Sequence, residues 1–178
     1  KWVAFSRFSS PNIFLLLKSY LHLNSSIMAV IKEGSKAPAF KGVDQNGKNV
    51  ALADFKGQKL VLYFYPKDDT PGCTTQACSF RDQYEDFTDL GAEVIGVSSD
   101  SIASHQKFVS KHKLPFILLS DEDKNIRKLF GVPTALFGLL PGRVTYVTDE
   151  NGIIRLIFDN LSAKIHIEKA LQMLKKIV

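Results

Sequence analysis

Cysteine is scarce in this chain. Two residues among 178, Cys73 and Cys78, are too few for a disulfide-stapled secreted scaffold. They are also too few for a four-cysteine zinc or iron–sulfur site within one chain. Long apolar runs are missing as well. The N-terminal run Ile13 to Leu17 stops at Lys18, far short of the roughly 20 residues that cross a bilayer. No integral membrane segment is therefore expected. Walker and dinucleotide-binding glycine patterns are absent, as are internal repeats and low-complexity tracts.

Acidic residues are lacking from residues 1–27. That stretch holds Lys1, Arg7, Lys18 and six serines, and the first acid is Glu33. Such a composition fits an organelle transit peptide, which would place the mature protein in the chloroplast or plastid stroma. The alternative is a start at Met28, with residues 1–27 a non-native upstream extension and the protein cytoplasmic. The formal charge is +5, and removing Lys1, Arg7 and Lys18 leaves +2 for the remainder. The basic balance thus belongs partly to the tail, whereas a nucleic-acid-binding domain keeps its basic patch in the folded part.

What remains is one globular domain over residues 30–178. Hydrophobic residues make up 45% of the chain and charged residues 23%, enough for a sizeable core and too balanced for wholesale disorder. Asp44 to Lys48 carries an Asn-Gly pair between extended stretches, a hairpin signal. Leu60 to Tyr65 is continuously apolar, as expected of a central strand covered on both faces. Ala77, Phe80, Tyr84 and Phe87 recur at helical spacing, and Gly91 ends that helix. Glu93 to Val97 reads as a strand. Asp100 or Ser101 caps a helix to about Lys113, with Ile102, Phe108 and Val109 inward. A strand over Phe116 to Leu119 and a short helix over Asn125 to Phe130 follow. Val144 to Thr148 and Ile153 to Phe158 flank a second Asn-Gly turn, and residues 163–177 form a last amphipathic helix. Without the inserted helix and strand, the order is βαβ then ββα. That is a thioredoxin-like α/β fold, a mixed sheet flanked by helices. A doubly wound sheet would keep alternating strands with helices to its end.

The chemistry lies between the buried strand and the first helix, in Pro66 to Asp82. Thr70 is a natural N-cap and Pro71 the favoured first helical residue. Cys73 then lies in the first turn, where unpaired N–H groups and the helix dipole favour a thiolate, the nucleophilic form, over a thiol. Cys78 poses a geometric problem. On a regular helix, residues five apart differ by about 500° of rotation and ~7.5 Å of rise. Their Cα atoms are then more than ~8 Å apart, outside the range of about 4.4–6.8 Å that a disulfide spans. Either Cys78 is merely packed and another thiol resolves Cys73, or the first turns unwind in each cycle. His105 and His112 have no acidic or thiol cluster beside them in sequence. They read as surface or helix-edge residues, not metal ligands, and Arg81 reads as structural.

Pro66, Thr70 and Cys73 match the signature of the peroxiredoxins: Pro, three residues, Thr, two residues, Cys. The second cysteine within CTTQACSFRD resembles the bacterioferritin-comigratory and plant peroxiredoxin Q subfamily. So do Val94 to Ser101, Ser104 to Phe108 and Leu114 to Asp121, while Phe137 to Tyr146 looks like the plant and cyanobacterial members. The resemblance implies a thioredoxin-like fold and a thiol peroxidase. It implies Cys73 as the peroxidatic cysteine and Cys78 as the resolving one, and it favours unwinding. It further implies Thr70 and Arg143 as partners of the thiolate and the peroxide oxygens, and Pro66 as a shield over the pocket. The expected cycle runs through a Cys73 sulfenic acid and a Cys73–Cys78 disulfide recycled by thioredoxin, in a monomer without metal, haem or flavin. Two other functions compete: a redox-regulated holdase or binding protein, and a thioredoxin-like disulfide reductase. The reductase is a weaker reading than the peroxidase on the same fold, because the cysteine spacing is not CxxC.

Overall fold

The computed structural model describes residues 31–135 and 140–177. The segment 1–27 and residues 136–139, within the plant-type stretch Phe137 to Tyr146, lie outside the described residues. The described chain opens with a hairpin of β1 (Lys41–Asp44) and β2 (Asn49–Ala51). Its turn is built by Asp44, whose Oδ1 accepts the N–H groups of Asn46 and Lys48, both at 2.8 Å. Gly47 then takes the left-handed φ of +79° that the turn requires.

A 3-10 turn, Leu52–Phe55, leads into β3 (Lys59–Phe64), which is buried along its whole length. Its alternation sends Val61, Tyr63 and, beyond its end, Tyr65 to one face of the sheet. Leu60, Leu62 and Phe64 go to the other. Then follow α1 (Pro71–Asp82), α2 (Tyr84–Asp89), β4 (Ala92–Ser98), α3 (Ile102–His112), β5 (Ile117–Ser120) and α4 (Asn125–Leu129). A small pair, β6 (Thr134–Ala135) with β7 (Leu140–Pro141), stands apart from the main sheet. The chain closes with β8 (Val144–Thr148), β9 (Ile154–Asp159) and α5 (Ala163–Leu174).

The main sheet runs β2-β1-β5-β4-β3-β8-β9, with β3, β4 and β5 parallel and β8 antiparallel to β3. The βαβ unit, the inserted α3–β5 and the closing ββα stand as expected from the sequence. The second hairpin repeats the chemistry of the first: Asp149 Oδ1 accepts the N–H groups of Asn151 and Ile153, and Gly152 has φ +71°. Ile167, Ala170, Leu171 and Leu174 form the buried face of α5. On the same side of the sheet, Tyr63 stacks on Phe80 of α1 with ring centroids 4.6 Å apart. That approach depends on Gly96 in the adjacent strand, where a Cβ would lie 2.7 Å from the Tyr63 ring.

Three expectations need correction. The helix expected to run to Gly91 breaks at Gln83, whose φ of −117° separates α1 from α2. The bend turns Tyr84 toward β4, where its hydroxyl donates to Glu93 at 2.9 Å. The inner face of α3 rests on His105 and Phe108, and Ile102 and Val109 are only half-buried. His105 is not a surface residue but fully buried. It is satisfied there because Nδ1 lies 2.9 Å from Asp68 Oδ2 and Nε2 lies 3.2 Å from the Leu119 carbonyl.

Candidate active site

Thr70 occupies the N-cap position of α1 and Pro71 the first turn, as the sequence predicts. The Thr70 hydroxyl does not cap the helix, however. It donates to the Lys67 carbonyl at 3.2 Å, closing the loop onto itself. The face of α1 set by positions 73, 76, 77 and 80 is buried, so Cys73 points inward and is 2% exposed. Its backbone position nevertheless lies in the first helical turn, where N–H groups have no intrahelical acceptor.

The antiparallel register of β8 on β3 pairs Val144 with Phe64. Arg143 therefore lies beside the carboxyl end of β3, where the chain turns into α1. Its Nη2 is 3.4 Å from Cys73 Sγ, and its Nη1 donates to Gln76 Oε1. Arg143 is itself buried. A buried permanent cation against a sulfur and an amide oxygen is an electrostatic clamp, poised for negative charge on the thiol or on an oxygen bound beside it. Gly72 borders this arrangement closely, since a Cβ there would lie 3.4 Å from Arg143 Nη2.

The loop carrying Pro66 and Thr70 is fixed from below. Asp68 is buried and accepts hydrogen bonds from Tyr65 Oη at 2.7 Å and Ser104 Oγ at 2.7 Å, besides facing His105. Its own N–H donates to Asp100 Oδ2 at 2.9 Å. Burial, and then the neighbouring Tyr63 and Asp68, push the Tyr65 phenol well above its ordinary pKa. It therefore stays a donor. Tyr63 is raised likewise, by burial first and then by the charges of Asp68 and Cys73. Pro66 and Thr70 are half-buried at this rim.

Of the five expected site residues, the structure joins Cys73 and Arg143 directly. It places Pro66 and Thr70 in the loop before α1 and Cys78 farther along α1. Two further residues escaped the sequence. Gln76 anchors Arg143, and its Nε2 is buried without a partner; its spacing of three from Cys73 on a helix was the available signal. Arg127 on α4 is buried under the Phe64 ring, donating to the carbonyls of Gly142 at 3.3 Å and Tyr65 at 3.1 Å. Those carbonyls directly precede Arg143 and Pro66, so Arg127 ties the two loop ends together. Burial lowers its pKa below the usual arginine value. Among the described residues, no group of three or more His, Cys, Asp or Glu side chains could hold a metal ion. No helix among them is long and apolar enough to cross a membrane.

The chain is similar to known proteins over most of its length. A family model described as the AhpC/TSA family matches residues 34–157. The chloroplastic peroxiredoxin Q of Suaeda salsa is 51% identical over 176 residues, covering 98% of this chain and 81% of that protein. The Arabidopsis thaliana counterpart is 55% identical over 154 residues, covering 86% and 71%. Among solved structures, the peroxidoxin BcpB of Mycobacterium tuberculosis superposes with a TM-score of 0.77 at 33% identity, over 83% of this chain and 99% of that one. A Xanthomonas campestris peroxiredoxin Q gives 0.72 at 32% identity, over 77% and 90%.

Proposed function

The chain belongs to the AhpC/TSA family, among its peroxiredoxins Q, and from that membership we propose a thiol peroxidase cycle centred on Cys73. The observation that carries it is the buried Cys73 sulfur in the first turn of α1 with the Arg143 guanidinium 3.4 Å away. The Cys73 thiolate attacks one oxygen of a hydroperoxide. An S–O bond forms, the O–O bond breaks, and water or an alcohol leaves with a proton. Arg143 stabilises the charge that develops on the departing oxygen. Cys78 then displaces the sulfenic oxygen as water, forming a Cys73–Cys78 disulfide. An external dithiol of the thioredoxin type reopens it by exchange. Hydrogen peroxide and organic hydroperoxides are both substrates in this scheme. A Xanthomonas campestris bacterioferritin comigratory protein of 31% identity is described as reducing alkyl peroxides, in support of the latter.

The test is peroxide-dependent oxidation of thioredoxin. Cys73→Ser should abolish it, because a serine alkoxide is not available at neutral pH. Retention of a tenth of the wild-type turnover would remove Cys73 from the role.

The plastid stroma is the proposed compartment, with residues 1–27 removed on import and the domain beginning near residue 30. The chloroplastic naming of the relatives supports this placement. Import into isolated chloroplasts followed by N-terminal sequencing decides between it and a cytoplasmic protein starting at Met28. The enzyme is proposed to act as a monomer, which sedimentation of the reduced form tests.

A further inference from the structure

Cys73 and Cys78 look in different directions from α1. Cys73 faces Arg143, whereas Cys78 is half-buried against the carboxyl end of α3. Its Sγ lies 3.9 Å from Nδ1 of His112. The other ring nitrogen, Nε2, lies 3.1 Å from Asp69 Oδ1. A neutral ring that donates from Nε2 to the carboxylate leaves the Nδ1 lone pair facing the thiol. Thiol, imidazole and carboxylate thus stand in the order of a nucleophile, its base and the group that orients the base.

The line is held in place from several elements. Asp69 sits in the loop before α1 with a left-handed φ of 54°, and it also binds Lys111 Nζ at 2.8 Å. Those two hydrogen bonds, Lys111 first and His112 second, hold the Asp69 carboxyl below the usual carboxylate range, so it is anionic at neutral pH. The His112 ring packs edge-on against Phe108, centroids 5.0 Å apart. Its backbone carbonyl accepts Arg81 Nη1 from α1 at 2.8 Å. Of the charged and titratable groups around His112, Asp69 from the loop and Cys78 from α1 reach the ring, Arg81 from α1 reaches its backbone carbonyl, and Lys111 from its own helix reaches Asp69.

We propose that His112, oriented by Asp69, is the catalytic base of the resolving cysteine. This rests on the peroxidase cycle above and adds to it the group that readies Cys78. His112 Nδ1 takes the thiol proton while α1 is still helical, and Cys78 leaves the ring as a thiolate when the segment opens. That sulfur attacks the sulfur of the Cys73 sulfenic acid. The S–S bond forms and the S–O bond breaks. Cys78 is oxidised and the Cys73 sulfur reduced, so no outside oxidant is required. The departing hydroxide takes a proton from solvent and the imidazolium returns its own, leaving water as the net product.

Two measurements on the full chain test this. The first follows Cys78 alkylation by iodoacetamide against pH in a Cys73→Ser background, each curve normalised to its own high-pH plateau. Normalisation removes any general gain in access from a looser helix. With His112→Asn added, normalised alkylation at pH 7 should fall about tenfold, the equivalent of one pH unit. Asp69→Asn, which keeps the ring but loses its anchor, should give a smaller fall in the same direction. The second follows disulfide formation after one equivalent of peroxide by stopped flow. In His112→Asn the resolving step should slow about tenfold at pH 7 and recover as pH rises. A ring that only latches α1 to α3 would change melting temperature and leave both pH profiles where they are, and that result overturns the proposal. If wild-type Cys73 does not react with peroxide, the peroxidase cycle fails, while the alkylation curves still decide the role of His112.

Discussion

Arg143 serves two acceptors at once. One arm of the guanidinium reaches the Cys73 sulfur and the other the Gln76 amide oxygen. A planar fork can do both, and a lysine ammonium cannot hold the same pair of directions. Arg143→Met should therefore slow reaction with peroxide by of order 10²-fold, the cost of removing one preorganised donor from a transition state. It should also cost stability, about 1–3 kcal/mol, because Gln76 Oε1 would join Nε2 as a buried group without a partner. Arg143→Lys should fall between. Stopped-flow peroxide kinetics on the folded variants check this, and unchanged rates in Arg143→Met would place the guanidinium outside the chemistry. Cys73 and Arg143 were legible in the sequence only as a helix-start thiol and a family match. Gln76 and Arg127 were not, because their partners are a side chain just before β8 and two loop carbonyls, distant in the chain. His105 was misplaced for the same reason, since nothing near it in sequence announces Asp68.

The element at stake in the catalytic cycle is α1. The Thr70-Pro71 start, the buried face and the hairpin turns were all readable from local chemistry. The break at Gln83 was not, because helical spacing continues through it to Tyr84 and Phe87. In the reduced enzyme, Cys73 and Cys78 share one intact helix, a geometry too wide for a disulfide. A disulfide formed directly between them is therefore expected to unwind the turns around Thr74 to Ser79. That step pulls on Ala77 and Phe80, which are fully buried, and on the Phe80 contacts with Tyr63 and Phe87. So short a disulfide loop restricts the unfolded chain little, and its entropic gain does not offset the lost packing. The oxidised enzyme is expected to melt below the reduced one, with amide exchange over residues 73–82 much faster after one equivalent of peroxide. Cys78→Ser should stay helical and stop at the sulfenic acid, open to overoxidation. Equal exchange in both redox states, with the intramolecular disulfide confirmed by mass, would refute the unwinding.

At the scale of the molecule, one sheet separates two apolar layers, and the site sits at the carboxyl end of β3, where the chain enters α1 and β8 begins. Behind that junction lies His166 of α5, buried. Its Nε2 donates to the Asn160 carbonyl and its Nδ1 accepts from the Thr145 hydroxyl, both at 2.8 Å. This arrangement uses the neutral ring. Burial, joined by the Arg143 charge and only partly opposed by the Asn160 bond, holds the pKa down to about 4. The ordinary histidine value is about 6.5. Above that value the ring is neutral in both folded and unfolded chains and the pH has no leverage. Between the two values the unfolded chain binds a proton that the folded chain refuses, so stability falls as pH falls, by about 3 kcal/mol at the lower end. Below that range Asp149 joins in. Its own burial would raise its pKa, but the Ile153 and Asn151 N–H groups and Arg155 outweigh this and lower it. Its stabilisation is therefore present above the ordinary carboxylate range and lost as pH drops through it. Reduced enzyme should accordingly lose melting temperature steadily from pH 6.5 downward. His166→Gln should start from a lower melting temperature at pH 7 and decline less steeply between pH 6.5 and about pH 4.5. A decline of unchanged steepness in that variant would assign the acid sensitivity to other groups. A histidine resonance for residue 166 that titrates near 6.5 would show that the proton enters the folded state after all.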